Sequence, residues 1–392
     1  MTLIKKSSKV TPINVKPGKN NSIFNKSKDV ASNIKFIVYV QALLGINRVY
    51  LMKCGRLVTW FSRTYSLLLM ILTILFMINF RNESASFVVI QDTSCTVYAF
   101  LIFNSILFKK KTFDVFFANM NTFDEILNIN KDFNVTSPSY RSLIWMSISV
   151  VYSVIEFGLF YAYGQASYVM IIMNLTLMAY DSEQMLFCTL IRMILIRVRV
   201  IKAHVTKKFG KVTKELDRVD ELSRNVQLDT ISLHTTYELL HKCAEQLNSV
   251  MSLPMIVSLF CSGLSSTLLM KNVFKALQMD DSDSTLKQLM IIYSSVRCLK
   301  YTISVVFPCY YSSVTTTQVS HIRTMLHDAA NRGELDKIER RQVKAFFQLT
   351  RENEFAYALW GVIRLNMSLP LSYSSLCTTY LVIIIQFSKF ID

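Results

Sequence analysis

Seven apolar stretches of this sequence are each long enough to cross a lipid bilayer, which takes about 20 residues of α-helix. The predicted spans are residues 58–80, 87–108, 141–163, 168–190, 250–274, 286–313 and 369–390. Hydrophobic residues make up 52% of the 392 residues, so the apolar content also exceeds that of most soluble domains. The low number of glycines, 9 in all, favours long helices over a β-barrel. We therefore predict an all-α membrane protein with seven transmembrane helices.

The positions of the basic residues predict how these helices are oriented. Residues 1–33 are polar and basic and lack an apolar signal segment, so we expect a disordered cytoplasmic tail. Further basic clusters follow the second span (residues 109–111) and the fourth (residues 192–214). Because basic residues concentrate in cytoplasmic loops, the N-terminus is predicted to be cytoplasmic and the C-terminus, after seven spans, extracellular. The net charge of +16 lies beside the apolar stretches, which argues against a nucleic-acid partner.

The segment before the first span, within residues 34–57, admits two interpretations. Phe36 to Leu51 is moderately apolar but is interrupted by Gln41, Asn47 and Arg48. We predict an amphipathic helix lying at the inner membrane interface. The alternative is a true first span, which would give eight helices and reverse the later topology.

Signatures of catalysis and of metal binding are absent from the sequence. There is no HExxH, GxSxG, Walker A or GxGxxG motif, and the five histidines are not spaced for a zinc site. The eight cysteines contain no CxxC pair, and most fall inside apolar stretches, where a thiol behaves as a small hydrophobic group. We therefore predict no enzymatic activity, no cofactor and no metal site.

The last apolar stretch carries a regular stripe of mostly polar residues. The members recur at steps of three and four, which puts them on one helical face: Ser372, Ser375, Thr379, Ile383 and Gln386. Such a stripe packs against the protein's own helices in many membrane proteins. It also lines a pore when several copies surround a symmetry axis. The pattern alone leaves both interpretations open.

The same stretch contains a short motif, T-Y, five hydrophobic residues and Q-F, formed around Thr379, Tyr380, Gln386 and Phe387. This motif resembles the C-terminal signature of the insect gustatory receptor family. The resemblance implies a tetrameric, ligand-gated cation channel whose pore is lined by this helix. The pore-lining residues would be Ser375, Thr379, Ile383, Gln386 and Phe387. The sugar-receptor branch usually has Glu after the motif tyrosine, where this chain has Leu381, so we expect a bitter or other non-sugar plant compound as the tastant.

The resemblance also implies a domain organisation and a set of partners. Residues 58–314 would form a six-helix bundle that holds the ligand, residues 315–362 a cytoplasmic anchor joining four subunits, and residues 363–392 the pore helix. The protein would sit among the lipids of the plasma membrane of taste neurons. It would form homo- or heterotetramers and conduct cations. A ligand pocket in the outer half of the bundle would be lined by Tyr98, Glu156, Tyr163, Tyr180, Tyr293 and Arg297.

Charged residues within predicted spans are costly in lipid and therefore need partners or a water-filled cavity. They are Asp92, Glu156, Asp181, Glu183, Arg297 and Lys300. One interpretation is internal pairing, for example of Asp181 or Glu183 with Arg297 or Lys300. The other is that they face a cavity that receives the ligand.

Three other functions compete with the gustatory channel. An insect odorant receptor channel is the nearest, and the motif favours the gustatory branch over it. A G-protein-coupled chemoreceptor would have a cytoplasmic C-terminus. A secondary transporter is expected to show internal repeats, which this sequence lacks.

Overall fold

The computed structural model describes residues 31, 34–52, 54–79, 85–107, 110–127, 138–162, 168–210, 229–278, 284–332 and 335–391. The helices in this part of the chain are α1 (Lys35–Leu43), α2 (Arg56–Asn79), α3 (Ala85–Leu107), α4 (Lys110–Ile126), α5 (Pro138–Ala162), α6 (Tyr168–Phe209), α7 (Thr230–Gln278), α8 (Ser284–Asn331), α9 (Lys337–Glu352) and α10 (Ser368–Ile391). A two-stranded antiparallel hairpin, β1 (Ala358–Leu359) and β2 (Ile363–Arg364), joins α9 to α10. The predicted all-α fold class is confirmed.

Each of the seven predicted spans falls on one helix: α2, α3, α5, α6, α7, α8 and α10 in chain order. On length and composition alone, two helical segments in the described ranges are apolar enough to cross a membrane, Arg56–Asn79 and Thr230–Lys271. All eight cysteines are free thiols, and five of them are buried, as their apolar surroundings predict.

Helices α6, α7 and α8 extend well beyond the predicted spans, with 42, 49 and 48 residues. We call their extensions, together with α4, α9 and the hairpin, the base. Its core contains the rings of Tyr237, Phe346 and Phe355, with centroids of Tyr237 to the other two 5.7 Å and 5.3 Å away. These three side chains are fully buried. The base is therefore a packed unit built from five helices and the hairpin rather than a set of separate extensions.

Helix α9 attaches to the base through one amphipathic face. Asp336 caps its N-terminus by accepting a hydrogen bond from the amide of Lys337. Val343, Phe346 and Thr350 recur at steps of three and four and are buried, while the opposite face is charged. The pattern explains why a helix with so many charged residues is still held tightly against α7 and α8.

The N-terminal segment is not the single amphipathic helix that was predicted over Phe36–Leu51, so this prediction is wrong in its extent. Helix α1 has only nine residues and ends at Leu43, after which Gly45 adopts φ = +77° and the chain turns. Nine residues are also too few for the alternative first span. The polar residues expected on a wetted face are instead inside the bundle, with Gln41, Asn47 and Arg48 exposing 0%, 1% and 3% of their surface. The reason is that the bundle supplies polar partners for all three.

Candidate functional site

A buried ion pair links three helices in the middle of the bundle. The ammonium of Lys300 on α8 lies 2.6 Å from the carboxylate of Asp181 on α6. It also donates a 3.1 Å hydrogen bond to Ser149 on α5, and the Ser149 hydroxyl donates to Asp181. This bears out the predicted internal pairing for these two charges. Ser149, which the sequence analysis did not single out, completes the arrangement because its hydroxyl is hydrogen-bonded to both charged side chains.

Glu183 has a different partner from the predicted ones. Its carboxylate lies 2.9 Å from the guanidinium of Arg48, which follows α1 rather than lying on α8. Gln41 supports the pair, because its amide oxygen accepts from Arg48 and its amide nitrogen donates to the carbonyl of Ser182. The Arg48 guanidinium also lies 5.6 Å from the ring centre of Phe113 on α4. The pairing of Glu183 with Arg297 or Lys300 is therefore wrong, because Arg48 reaches it from the N-terminal segment.

Two stacked tyrosines lie next to the Asp181–Lys300 pair. Tyr152 on α5 and Tyr293 on α8 have ring centres 6.1 Å apart and nearly parallel planes. A cation covers each ring: the Lys300 ammonium is 5.5 Å from the centre of Tyr152, and the Arg297 guanidinium is 5.6 Å from that of Tyr293. Arg297 also donates a hydrogen bond to the Tyr293 hydroxyl. We call Tyr152, Tyr293, Arg297 and Lys300 the tyrosine–cation cluster.

The cluster combines the two features of sites for small organic molecules, flat apolar surface and a few directed polar groups. It brings together Tyr293 and Arg297, which the sequence analysis predicted. Tyr152, which the sequence analysis did not name, lies three residues after Ser149 and hence on the same face of α5.

Two other predicted ligand residues have structural partners. The hydroxyl of Tyr98 on α3 donates a 2.7 Å hydrogen bond to the carbonyl of Leu44, and both Tyr98 and Tyr180 are buried. The hydroxyl of Tyr180 on α6 donates to the carbonyl of Ser94. Of Glu156 only the position in α5 is described, and Tyr163 lies outside the described residues.

Helix α10 packs against the bundle through one face only. Tyr373, Cys377 and Leu381 recur at steps of four, and they are half-buried, half-buried and buried. The predicted stripe is exposed at every member: Ser372, Ser375, Thr379, Ile383 and Gln386. At 100° per residue the two faces are centred roughly 160° apart. The stripe therefore points away from the rest of its own subunit. Phe387 belongs to α10, but its side chain lies outside the described part.

The described residues hold no group of three or more His, Cys, Asp or Glu side chains placed to bind a metal ion. The polar chemistry of this bundle is that of ion pairs, hydroxyls and aromatic rings.

Comparison with known proteins identifies the fold and the family. No curated protein sequence gives a significant match. Among solved structures, the insect olfactory receptor OR5 from Machilis hrabei in complex with eugenol is similar, with a TM-score of 0.63 and 14% identity over 90% of this chain and 97% of that one. A second structure of the same receptor gives a TM-score of 0.62 at 13% identity over the same shares. At such identity the likeness concerns the fold.

The family itself is shown by the sequence model of the 7tm Chemosensory receptor family, which matches residues 34–391. This match includes the N-terminal segment, all ten helices and the Q-F motif. Its members are receptor channels of insect chemosensation rather than enzymes. The chain belongs to the 7tm chemosensory receptor family.

Proposed function

We propose that the chain is a gustatory receptor subunit, a ligand-gated cation channel that opens when a small-molecule tastant binds. The observation that carries this proposal is the exposure of the whole α10 stripe in a single subunit. Packing against the protein's own helices, the competing interpretation, would cover these side chains, yet the covered face of α10 is the opposite one. Exposed polar groups in a membrane helix need water or a partner molecule.

Four subunits around one axis satisfy this requirement. Each subunit would turn Ser375, Thr379, Ile383 and Gln386 toward the axis, with Phe387 one residue beyond, and the stripes together would enclose water and passing cations. The neighbouring subunits are either identical chains or related gustatory subunits. The base corresponds to the predicted anchor of residues 315–362 together with the ends of α6 to α8. We propose that neighbouring subunits contact each other through the base.

The T-Y…Q-F motif supports a gustatory rather than an odorant receptor, although the solved relatives are olfactory receptors. Leu381, which replaces the glutamate of the sugar-receptor branch, is 7% exposed and lies on the packed face of α10. An apolar, packed residue at this position favours a tastant other than a sugar, such as a bitter plant compound.

We assign ligand binding to the tyrosine–cation cluster, with Tyr98 and Tyr180 shaping the bundle around it. A ligand that binds the open state more tightly than the closed state shifts the population toward the open channel.

The distribution of basic residues supports the proposed orientation in the membrane: the N-terminus and the base are cytoplasmic, and the C-terminus lies outside the plasma membrane.

The test is cysteine scanning of α10 in expressing cells, with ionic current as the readout. Single Ser375→Cys and Thr379→Cys variants are treated with a charged methanethiosulfonate, which should reduce the current by adding bulk and charge to the pore. Leu381→Cys, on the packed face, is the control and should be unaffected. Equal effects on all three variants would contradict the pore assignment, and a C-terminal tag inaccessible on intact cells would favour a G-protein-coupled receptor.

A further inference from the structure

One contact between α10 and α7 is made at a glycine. The ring of Tyr373 lies directly on Gly263, so that a Cβ added there would be 3.0 Å from the tyrosine oxygen and 3.4 Å from two ring carbons. The Tyr373 hydroxyl donates a 3.1 Å hydrogen bond to the backbone carbonyl of Leu259, one turn earlier. The absence of a side chain at Gly263 therefore makes the seat for Tyr373.

The contact is part of a matched row on both helices. Tyr373, Cys377 and Leu381 recur every four residues on α10, and Leu259, Gly263 and Thr267 do so on α7. The thiol of Cys377 lies close to the side chain of Thr267, one turn above the Tyr373 seat. Rows of equal spacing can also interlock after a shift of one turn, but Gly263 is the one member of the α7 row without a side chain. The seat therefore fixes both the height and the rotation of α10.

Helix α7 is weakened near this seat. Pro254, five residues before Leu259, has no N–H to donate to the carbonyl of Val250. The hydroxyl of Thr267 donates to the carbonyl of Gly263, a bond that bends helices slightly. Bending in this part of α7 would move the seat and, with it, α10.

The seat is also connected by packing to the tyrosine–cation cluster. Cys261 and Leu269 of α7 share a hydrophobic cluster with Tyr180 and Tyr301, and Tyr293 packs against that cluster. Packed side chains therefore connect Tyr293 continuously to Cys261, which lies two residues before Gly263 on α7. A displacement of Tyr293 can be transmitted along these contacts.

We infer that Tyr373, seated on Gly263, is a positioning residue that sets the rotation of α10 and couples the ligand site to the pore stripe. This inference rests on the proposed function for its link to gating, whereas the seat itself stands on the contacts alone. Both faces of α10 move together, because the helix is rigid: a shift at Tyr373 turns the stripe on the opposite side.

The test uses a double-mutant cycle. Gly263→Ala adds the Cβ that meets the tyrosine oxygen and should push α10 away from α7. Gly263→Ala combined with Tyr373→Phe removes that oxygen, and the new Cβ then meets only ring carbons at ordinary contact distance. Gly158→Ala on α5, where an added Cβ meets nothing within 4 Å, is the matched control.

The first readout is alkylation of the native Cys377 by N-ethylmaleimide in membranes, followed by peptide mass spectrometry. The rate should rise at least threefold in Gly263→Ala, return most of the way in the double variant and stay unchanged in Gly158→Ala. Additive effects of the two substitutions would overturn the seat. If Gly263→Ala fails to reach the membrane, Tyr373→Phe alone should still raise the rate, and no rise would overturn the inference.

The second readout is the cation current without added ligand, normalised to surface protein. Gly263→Ala should change it at least threefold, and the double variant should restore it. An altered labelling rate with unaltered current would show a purely structural contact and overturn the coupling. Absence of current in the unmodified protein would instead contradict the proposed channel, and the labelling rates would still decide whether the seat exists.

Discussion

The guanidinium of Arg48 lies 2.9 Å from the carboxylate of Glu183, with side chains only 3% and 1% exposed. This pair joins the N-terminal segment to α6 inside the bundle. A buried charge that loses its partner is strongly destabilising, by about 3–5 kcal/mol. We therefore expect Arg48→Met to lower the midpoint of thermal unfolding and the yield of folded protein, measured by fluorescence-detected size-exclusion chromatography.

Two variants separate loss of the partner from loss of the pair itself. Arg48→Met with Glu183→Met leaves no unpaired charge and should recover much of the lost stability. Lys242→Met breaks an exposed 2.8 Å pair with Glu238 and should change stability by less than about 1 kcal/mol. A double variant no more stable than Arg48→Met would show that the pair does more than neutralise Glu183.

The contrast between Glu183 and Asp181 shows how far the sequence predicts this structure. Pairing of Asp181 with Lys300 was predictable, because both lie in recognised spans and unpaired charges rarely persist there. Arg48 was assigned to a surface helix, since a short, interrupted apolar segment ordinarily lies at an interface. Only the three-dimensional structure shows that this segment packs against α6, where Arg48 pairs with Glu183.

Helix α10, which carries the proposed pore stripe, also shows how far the sequence predicts the structure. Its length and its stripe follow from hydropathy and the 3.6-residue period, and both agree with the structure. Which face packs on the bundle is visible only from contacts such as that of Tyr373 with Gly263, which the periodicity of the sequence does not reveal. Tyr98 was predicted as ligand-lining because the family resemblance places a pocket in its part of the bundle. The backbone carbonyl of Leu44, to which its hydroxyl donates, was not predictable from the sequence.

Helix α9 should depend on one aromatic side chain for its attachment. Phe346 is fully buried and meets Tyr237 edge-on, so Phe346→Ala leaves a cavity that costs about 3–5 kcal/mol. Ile338 on the same helix is 65% exposed, and Ile338→Ala should change stability by about 0.5 kcal/mol or less. Thermal unfolding and the fraction of assembled oligomer are the measurements. Equal effects would contradict the described packing of α9.

His204 on the α6 extension should make stability depend on pH. Burial, and then the neighbouring charge of Lys207, lower the pKa of His204 in the folded protein. The unfolded chain takes up a proton near its ordinary pKa of about 6.5, whereas the folded protein resists it, so stability falls as the pH drops below that value. His204→Gln should show a smaller loss of thermal stability between about pH 7.5 and pH 5.5. An equal loss would assign the pH dependence to other groups.

Gln386 should control the charge preference of the pore. Gln386→Glu changes little in shape but would place a ring of four carboxylates around the axis, which raises the local cation concentration. We expect the permeability ratio of Ca²⁺ to Na⁺ to rise and the rectification of the current to change, as measured from reversal potentials in expressing cells. Gln386→Lys should reduce cation current at equal surface expression. The effect should weaken at high ionic strength, because the field of an exposed ring is screened within about 10 Å at 0.1 M salt. Unchanged reversal potentials in both variants would mean that the conducted ions do not pass this side chain, and the exposed stripe would then need another partner.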